Sequence, residues 1–112
     1  MRSAWIAIAV AGALVACESS DVSREVGARC TSSDDCDERC LAPSTAYPGG
    51  FCSLACERDG DCPGSTTCAD VDGGVCLFTC TTDAECAFLG PDWGCEAVDL
   101  RGGGIKVRVC RG

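Results

Sequence analysis

The chain of 112 residues contains no histidine. Without an imidazole there is no Ser-His-Asp or Cys-His nucleophilic site and no zinc site with a histidine ligand. Paired acids are present, such as Asp34 with Asp35 and Asp59 with Asp61, but acid–base catalysis needs two carboxyls in a cleft that separates their pKa values. A small chain has little room for such a cleft, so we interpret these acids as solvated loop residues. We predict that the protein is not an enzyme, has no catalytic residues and needs no cofactor.

Basic residues are also scarce. Nine lysines and arginines stand against seventeen acids, which gives a net charge of −8. Nucleic acids and anionic membrane surfaces are bound by clusters of lysine and arginine. The composition therefore excludes nucleic acid as an expected partner and is compatible with cationic ones.

Large apolar side chains are few, since the chain has three Phe, two Trp, one Tyr and one Met. A small core barely offsets the conformational entropy that folding removes. The thirteen cysteines compensate, because each disulfide contributes roughly 3 kcal/mol. Cysteine at this density in an exported chain is typical of a disulfide framework.

No apolar run is long enough to span a bilayer as a helix, which needs about 20 residues. The apolar run over residues 4–16 has thirteen residues, follows Arg2 and ends in small residues. These features are typical of a secretory signal peptide, which we predict over residues 1–16. The alternative is a buried core helix.

Thirteen is an odd number, so one cysteine lacks an intramolecular partner, and Cys17 lies thirteen residues before Cys30. The sequence Leu14-Val15-Ala16-Cys17 resembles a bacterial lipobox, in which an aliphatic, a small or aliphatic and a small residue precede cysteine. The resemblance implies cleavage before Cys17, lipidation of its thiol and acylation of the new amino terminus. Several acyl chains, such as palmitate, anchor a protein durably, whereas one chain does so only marginally. The alternative is ordinary secretion with Cys17 paired to another molecule.

The mature chain would comprise residues 17–112, with eight basic and seventeen acidic residues and a net charge of −9. Residues 17–29 hold the lipidated cysteine and a polar segment, which we interpret as a linker. Its full extension is only ~40 Å at about 3.3–3.6 Å per residue. We therefore expect a folded part close to a membrane of the bacterial cell envelope, either the outer membrane or the periplasmic face of the inner membrane. Membrane lipid, through Cys17, is the predicted partner there.

An internal repeat begins at Cys30. The pattern of cysteine, five residues and cysteine starts at Cys30, Cys56 and Cys80, with an acid before the second cysteine each time. A cysteine-rich region over residues 30–112 thus divides into three units of four cysteines, over residues 30–52, 56–76 and 80–110. The cysteines that we assign to disulfides are Cys30, Cys36, Cys40, Cys52, Cys56, Cys62, Cys68, Cys76, Cys80, Cys86, Cys95 and Cys110.

Local signals predict the structure of a unit. Capping-box spacing, seen in Ser32 with Asp35 and Thr82 with Glu85, predicts a helical turn between the first two cysteines. Glycine pairs predict a tight hairpin in the second half of a unit. In the third unit, apolar and basic residues alternate over 105–109, which predicts a half-buried strand paired with residues 96–100. The predicted fold class is a small disulfide-rich protein: three tandem units with short β-hairpins and helical turns, and little regular secondary structure.

The hairpin limits the disulfides that a unit can form. If Gly73 and Gly74 form a two-residue loop, Cys68 lies opposite Thr79 and on the other face from Cys76, so a Cys68–Cys76 bridge is disfavoured. Two pairings within a unit remain: first to third with second to fourth, or the nested order. We favour the crossed order; sequence does not choose between them, and bridges between units also remain open.

The spacing Cys-x2-Asp-x-Asp/Glu-Cys resembles the opening of the Dickkopf N-terminal cysteine-rich domain. It is also similar to tandem cysteine-rich repeats in exported proteins and lipoproteins of Gram-negative bacteria. The resemblance covers residues 30–110, and the third unit departs from it by the fourteen residues between Cys95 and Cys110. It implies a small binding or structural module and carries over no Wnt-receptor role.

We predict no metal site. Asp70 and Asp72 precede a glycine turn and could offer oxygen ligands to calcium, but the EF-hand pattern is absent, so we interpret them as turn residues. A thiolate cluster is the other alternative, because Cys36/Cys40, Cys52/Cys56 and Cys76/Cys80 have zinc-ligand spacing. An oxidising compartment favours disulfides over thiolates.

Our first hypothesis is therefore a non-enzymatic, membrane-anchored envelope lipoprotein that presents a rod or compact array of three units to a protein or glycan ligand. Its candidate contact residues are Tyr47, Leu54, Phe88 and Trp93, together with the loop over residues 42–48. For each aromatic residue we nevertheless favour local packing over a disulfide to ligand contact, because the core is so small. The second hypothesis is an inhibitor of a secreted hydrolase that uses the same loop as a substrate mimic, since disulfide-locked loops are pre-organised. Metal binding or redox storage is the third.

Overall fold

The computed structural model describes residues 22–112. Within them, each of the three units is a 3-10 helix followed by an antiparallel two-stranded hairpin. The helices are η1 (Ser33–Asp35), η2 (Asp59–Asp61) and η3 (Asp83–Leu89). The strands are β1 (Arg39–Leu41), β2 (Phe51–Ser53), β3 (Thr66–Ala69), β4 (Val75–Phe78), β5 (Gly94–Asp99) and β6 (Lys106–Arg111). This architecture confirms the predicted fold class.

The acid that precedes the second cysteine of each unit caps the helix there. Asp35 accepts hydrogen bonds from the backbone N–H groups of Thr31 and Ser32, at 2.9 and 3.4 Å. Asp61 and Glu85 accept the equivalent bonds at the other two helices. The first N–H groups of a helix have no acceptor within it, so a carboxylate in this position stabilises the turn. The helical turns predicted from capping-box spacing in the first and third units are confirmed.

Six disulfides join the twelve cysteines of the units, and each unit has the crossed order that the sequence analysis favoured over the nested one. Among the described residues, no bridge joins two units. The bonds are Cys30–Cys40, Cys36–Cys52, Cys56–Cys68, Cys62–Cys76, Cys80–Cys95 and Cys86–Cys110.

The register of the hairpins explains the crossed order. In all three hairpins the third and fourth cysteines of the unit lie directly opposite each other. Residues that face each other across a hairpin project from the same face. Both sulfurs therefore point towards the helical turn, and each bonds to one of the two cysteines that flank it. The opposed pairs are Cys40 with Cys52, Cys68 with Cys76 and Cys95 with Cys110.

The hairpin of the second unit differs from the prediction. Ala69 pairs with Val75, so residues 70–74 connect the strands and Cys68 lies opposite Cys76 rather than Thr79. The predicted two-residue loop is therefore wrong. The argument that placed Cys68 and Cys76 on different faces was also wrong. Its conclusion is nevertheless correct, because the two cysteines are not bonded to each other.

The longer turn is built from three consecutive residues with positive φ: Asp72 at 50°, Gly73 at 85° and Gly74 at 99°. The N–H of Gly74 donates to the carbonyl of Val71 at 2.9 Å and closes the turn. A Cβ on Gly74 would lie 2.4 Å from the backbone oxygen of Cys56. Only glycine lets the turn approach the start of its own unit this closely.

The described part of the predicted linker, residues 22–29, is not a free tether. Val26 is buried, with 2% of its surface exposed. The N–H of Gly27 donates to the carbonyl of Cys52, and the N–H of Cys52 donates to the carbonyl of Ala28, both at 2.8 Å. The linker prediction is therefore wrong for these residues, because Val26 is buried and Gly27 and Ala28 pair with the last strand of the first unit.

One hydrophobic core runs through all three units. Phe51 of β2 meets Phe78 of β4 edge to face, with ring centroids 6.1 Å apart, and its ring lies 5.3 Å from that of Trp93 in the third unit. Of the two arrangements considered, a rod and a compact array, this shared core gives the compact array.

The hairpin of β5 and β6 in the third unit follows the predicted pairing. Val109 is fully buried, whereas Lys106 and Arg108 are exposed. Ile105 was predicted to lie in the half-buried strand, but the strand begins at Lys106 and Ile105 is 62% exposed. Its inclusion was wrong because the glycine-rich turn extends through it.

Candidate functional site

The structure divides the four predicted contact residues into two kinds. Tyr47 and Trp93 are buried, with 4% and 6% of their surface exposed, and Leu54 is partly buried against the same core. Phe88 is 45% exposed. Tyr47 and Trp93 are therefore wrong as contact candidates, and their burial agrees with the packing that the sequence analysis favoured, because a chain with so few large apolar residues uses them in its core.

Tyr47 instead links the three units. Its hydroxyl donates to the Asp72 carboxylate of the second unit, and the Arg111 guanidinium lies 5.3 Å from the centre of its ring. Burial and the hydrogen bond to Asp72 raise the pKa of Tyr47 to about 12. The indole N–H of Trp93 donates to the carbonyl of Pro48 at 3.2 Å and adds a second link between the first and third units. These aromatic residues position units rather than contact a ligand.

Phe88 borders an open groove of about 460 Å³ between the second and third units. The ring of Phe88 packs edge to face on Phe78, with centroids 5.2 Å apart, so the groove has an aromatic wall. The residues that line it are Ser65, Phe78, Thr79, Cys80, Thr81, Glu85 and Phe88.

The polar residues of the groove are held in place by bonds to other parts of the protein. Glu85 is a helix cap, and the N–H and hydroxyl of Thr81 donate to its carboxylate. These bonds lower the pKa of Glu85, so it is an anion at neutral pH. Cys80 is held in a disulfide. The groove therefore suits contact with an apolar group beside hydroxyls and one negative charge.

Val22 lies close to Phe78, which also lines this groove. A Cβ built on Gly27 would lie 3.3 Å from the Cα of Val22 and 3.0 Å from the ring of Phe78. Val22 is 38% exposed, so two of the three exposed large apolar side chains of the described residues, Val22 and Phe88, are both neighbours of Phe78. We call the surface formed by Val22, Phe88 and the groove beside Phe88 the Val22–Phe88 face.

The third exposed apolar side chain, Ile105, lies elsewhere. The Asp83 carboxylate of η3 accepts a hydrogen bond from the N–H of Cys95 at 2.8 Å, which fixes η3 to the start of β5. Ile105 lies in the turn beyond the far end of β5. Since a strand rises roughly 3.3 Å per residue, about 15 Å of hairpin separates it from η3.

The loop over residues 42–48 is held at its base and exposed at its tip. Residues 42–45 are exposed and Tyr47 is buried. The N–H of Ser44 donates to the carbonyl of Tyr47, and the N–H of Tyr47 donates to the Ser44 hydroxyl, both at 3.2 Å. The N–H of Gly112 donates to the carbonyl of Ala46 at 2.8 Å. The loop is thus a closed turn with a fixed shape.

A second set of acids was missed by the sequence reasoning. The Asp59 carboxylate accepts hydrogen bonds from the hydroxyl of Thr67 and from the N–H of Cys68, and these bonds lower the pKa of Asp59. Asp83 makes the equivalent bond in the third unit. The signal was present, because an acid recurs three residues after the first cysteine in both units. Its role depends on where the hairpin folds back, which the spacing does not give.

The two acids weighed as calcium ligands have protein partners. Asp70 forms a 2.9 Å ion pair with Arg101, and Asp72 accepts the hydroxyl of Tyr47. Arg101 also pairs with Glu57 at 3.2 Å. These carboxylates join the turn of the second unit to its neighbours.

The sulfurs of each unit are close together. Three Sγ atoms in each lie within 4.8 Å of one another, because the two disulfides of a unit are adjacent. All are oxidised in this structure, and a disulfide sulfur is not the thiolate that zinc requires.

The predicted signal peptide and Cys17 lie outside the described residues. Over residues 22–112, no helix has both the length and the apolar character needed to cross a membrane. Comparison of the chain with protein families, with curated protein sequences and with solved structures finds no match in any of the three.

Proposed function

We propose that the chain is a non-enzymatic envelope lipoprotein, anchored by acyl chains on Cys17, that presents a disulfide-stapled binding module close to a membrane. The observation that carries the proposal is the position of Cys17 at the end of an apolar run, in the lipobox-like sequence Leu14-Val15-Ala16-Cys17. That sequence would be a weak signal alone, and the preceding signal-like segment strengthens it.

The cysteine count supports this assignment. The twelve cysteines from Cys30 to Cys110 form six disulfides among themselves. None of them is left to pair with Cys17. Lipidation gives the thirteenth cysteine a chemical role in a compartment that oxidises the rest.

The packing of residues 22–29 shortens the tether. Only residues 18–21 separate Cys17 from Val22. Five Cα-to-Cα steps span at most about 18 Å at ~3.6 Å each. The lipid anchor would therefore hold the module against the bilayer surface, much closer than the whole segment to residue 29 would allow.

The candidate ligand-binding surfaces are therefore exposed segments that the disulfides hold rigid. The tip of the 42–48 loop, which lies between the bridged Cys40 and Cys52, meets this description, and the exposed turn around Ile105 is a second candidate surface. A protein or glycan ligand fits these elements, because pre-organised loops lose little entropy on binding.

The second candidate function, inhibition of a secreted hydrolase, is favoured by one observation. The loop over residues 42–48 projects an exposed tip from a base fixed by buried Tyr47 and by the bridges at Cys40 and Cys52. Incubation with a panel of secreted hydrolases separates the two functions. Stoichiometric inhibition that is lost when residues 43–45 are replaced by glycine supports the inhibitor, and unchanged hydrolase activity supports the ligand-binding module alone.

The lipoprotein proposal is tested by the intact mass of protein extracted from membranes. We expect a chain that begins at Cys17, carries acyl chains on it and gains twelve hydrogens on reduction, since six disulfides take up two each. The matched control is Cys17→Ser, which should remain unacylated and leave the membrane fraction. An uncleaved and unacylated wild-type chain would contradict the proposal.

A further inference from the structure

We infer that the Val22–Phe88 face lies against the lipid bilayer, with the Phe88 ring at the level of the headgroups. The inference rests on the proposed anchor at Cys17 and goes beyond it, because an anchor alone does not determine which side of the module meets the membrane.

The length of the tether is the first argument. Val22 is the first described residue of the packed body, and the four residues between it and Cys17 allow a reach of about 18 Å at most. The third hairpin alone is about as long, since β5 has six residues at roughly 3.3 Å each. On so short a tether, Val22 cannot lie on the side of this body opposite the bilayer, so the surface around Val22 is the one held closest to lipid.

The composition of that surface is the second argument. Val22 and Phe88 are exposed, at 38% and 45%, although residues 22–112 contain few large apolar side chains and bury most of them. The Phe88 ring lies on Phe78, which fixes its orientation, and the hydroxyls of Thr79 and Thr81 line the groove beside it. An aromatic ring next to polar groups matches the boundary between headgroups and acyl chains.

Charge defines the kind of bilayer. Glu85 borders the groove as an anion, and the chain after removal of residues 1–16 has a net charge of −9. An anionic surface would repel this face, whereas a zwitterionic one presents ammonium groups next to it. Zwitterionic lipid is therefore the surface on which we test the inference.

Ile105 provides the matched control. It is the most exposed of the large apolar side chains in the described residues, at 62%, and it lies beyond the end of β5 that is remote from η3. If exposed apolar character alone drove lipid contact, Ile105 would insert first. If the tether sets the orientation, Ile105 points into water.

The experiment uses the full acylated protein in two variants, Phe88→Trp and Ile105→Trp, reconstituted into phosphatidylcholine vesicles with brominated acyl chains. Buried Trp93 gives the same background in both. We expect the indole at position 88 to shift its emission to the blue and to lose intensity to bromine quenching, and the indole at position 105 to do neither. A third variant, Val22→Trp, should behave like Phe88→Trp and serves if the latter folds poorly.

The outcomes separate this inference from the proposed function. Confirmed acyl chains on Cys17 with no quenching at positions 22 and 88 would overturn the orientation and leave the lipoprotein intact. Equal quenching at positions 88 and 105 would also overturn it, since contact would then have no preferred face. Absence of acyl chains in the intact mass would overturn both proposals.

Discussion

The first and second units share one disulfide scaffold but differ in what surrounds it. In the first unit, Cys30, Cys36 and Cys52 form a small buried cluster of their own, covered by the 22–29 segment. In the second unit the disulfides belong to the core that all three units share. The crossed order of the bridges is therefore common to both units, whereas the place of a unit in the chain determines whether its bridges support one unit or the whole molecule.

The second unit is central because its last strand has neighbours on both sides. Val75 at the start of β4 bridges to Ala55, and Thr79, just after β4, bridges to Val109 of β6. Val75 and Leu77 are fully buried. Disruption of this unit is thus transmitted to both others.

The largest expected effect comes from removing one bridge from the second unit, and the equivalent bridge of the first unit is the comparison. Replacing Cys56 and Cys68 together by alanine should lower the free energy of unfolding by about 3–5 kcal/mol, at the upper end for a native disulfide in a small domain. The same change at Cys30 and Cys40 should cost less, about 2–3 kcal/mol, because the Cys56–Cys68 bridge lies in the shared core and the Cys30–Cys40 bridge does not. Loop length does not explain the difference, since the two bridges span similar separations of 12 and 10 residues. Urea unfolding, followed by the fluorescence of buried Trp93, measures both.

The two deletions should also differ in which hairpins show faster amide exchange. Loss of Cys56–Cys68 should speed amide exchange in all three hairpins, and loss of Cys30–Cys40 should do so only in the first. Uniform effects of the two deletions would show that the units do not differ in this way.

The hydroxyl of Tyr47 tests the polar link between the first and second units. Tyr47→Phe should lower the free energy of unfolding by roughly 1 kcal/mol, because the Asp72 carboxylate loses its donor. The folded-state pKa of Tyr47, about 12, is above its ordinary value of 10.0, so its contribution is complete below pH 10 and is lost as the pH rises to about 12. Tyrosinate absorbance measures this pKa without overlap, since the chain has a single tyrosine. A midpoint near 10 in the folded protein would contradict the assignment.

The residue that lies three positions after the first cysteine of a unit is Ser33 in the first unit and Asp59 in the second. We expect its replacement to change stability less than loss of a bridge, and to a different extent in the two units. Asp59→Ala should cost about 1 kcal/mol, because the hydroxyl of Thr67 and the N–H of Cys68 lose their acceptor. Ser33→Ala, at the same position in the first unit, should stay within about 0.5 kcal/mol, as is usual for exposed positions. Equal losses in thermal or urea unfolding would show that the acid has no specific role.

How far the sequence predicts this structure depends on the range of the interaction. Short-range features were predicted correctly: the caps at Asp35 and Glu85, the pairing of β5 with β6, and the fold class. Each of these depends on residues close in the chain. The twelve-cysteine repeat predicts the units in the same way.

Longer-range features were missed for identifiable reasons. The burial of Val26 depends on a surface supplied by the last strand of the first unit, and two widely spaced valines do not indicate it. The turn at Gly74 is longer than a two-residue loop because the backbone of Cys56 lies against it. Tyr47 and Trp93 were candidates for exposed contact residues, but the ring of Tyr47 in the first unit packs against that of Trp93 in the third. Of the candidate site, the exposure of Phe88 was predicted, and the groove beside it was not.

The smallest expected effect is a loss of stability in acid. Backbone N–H groups lower the pKa values of Asp35, Asp61 and Glu85 from ordinary values of 3.8, 3.8 and 4.5. The contribution of these caps is therefore present above those values and is lost as the pH falls through the lower folded-state pKa values. A triple variant with Asp35→Asn, Asp61→Asn and Glu85→Gln should show a flatter dependence of the urea midpoint on pH below about 5. An unchanged slope would rule out the caps as its cause.

The central claim is that each unit is closed by its own crossed pair of disulfides, which leaves Cys17 for lipid. The most direct test is disulfide mapping of the membrane-extracted protein under non-reducing conditions, after cleavage at acidic, basic, leucine and aromatic residues. Each linked peptide is then fragmented in the mass spectrometer, because no such residue separates Cys62 from Cys68. The account predicts six bridges, each joining first to third or second to fourth cysteine within one unit, and an acylated peptide that begins at Cys17. A nested pair, a peptide that links two units, or Cys17 in a disulfide would contradict it.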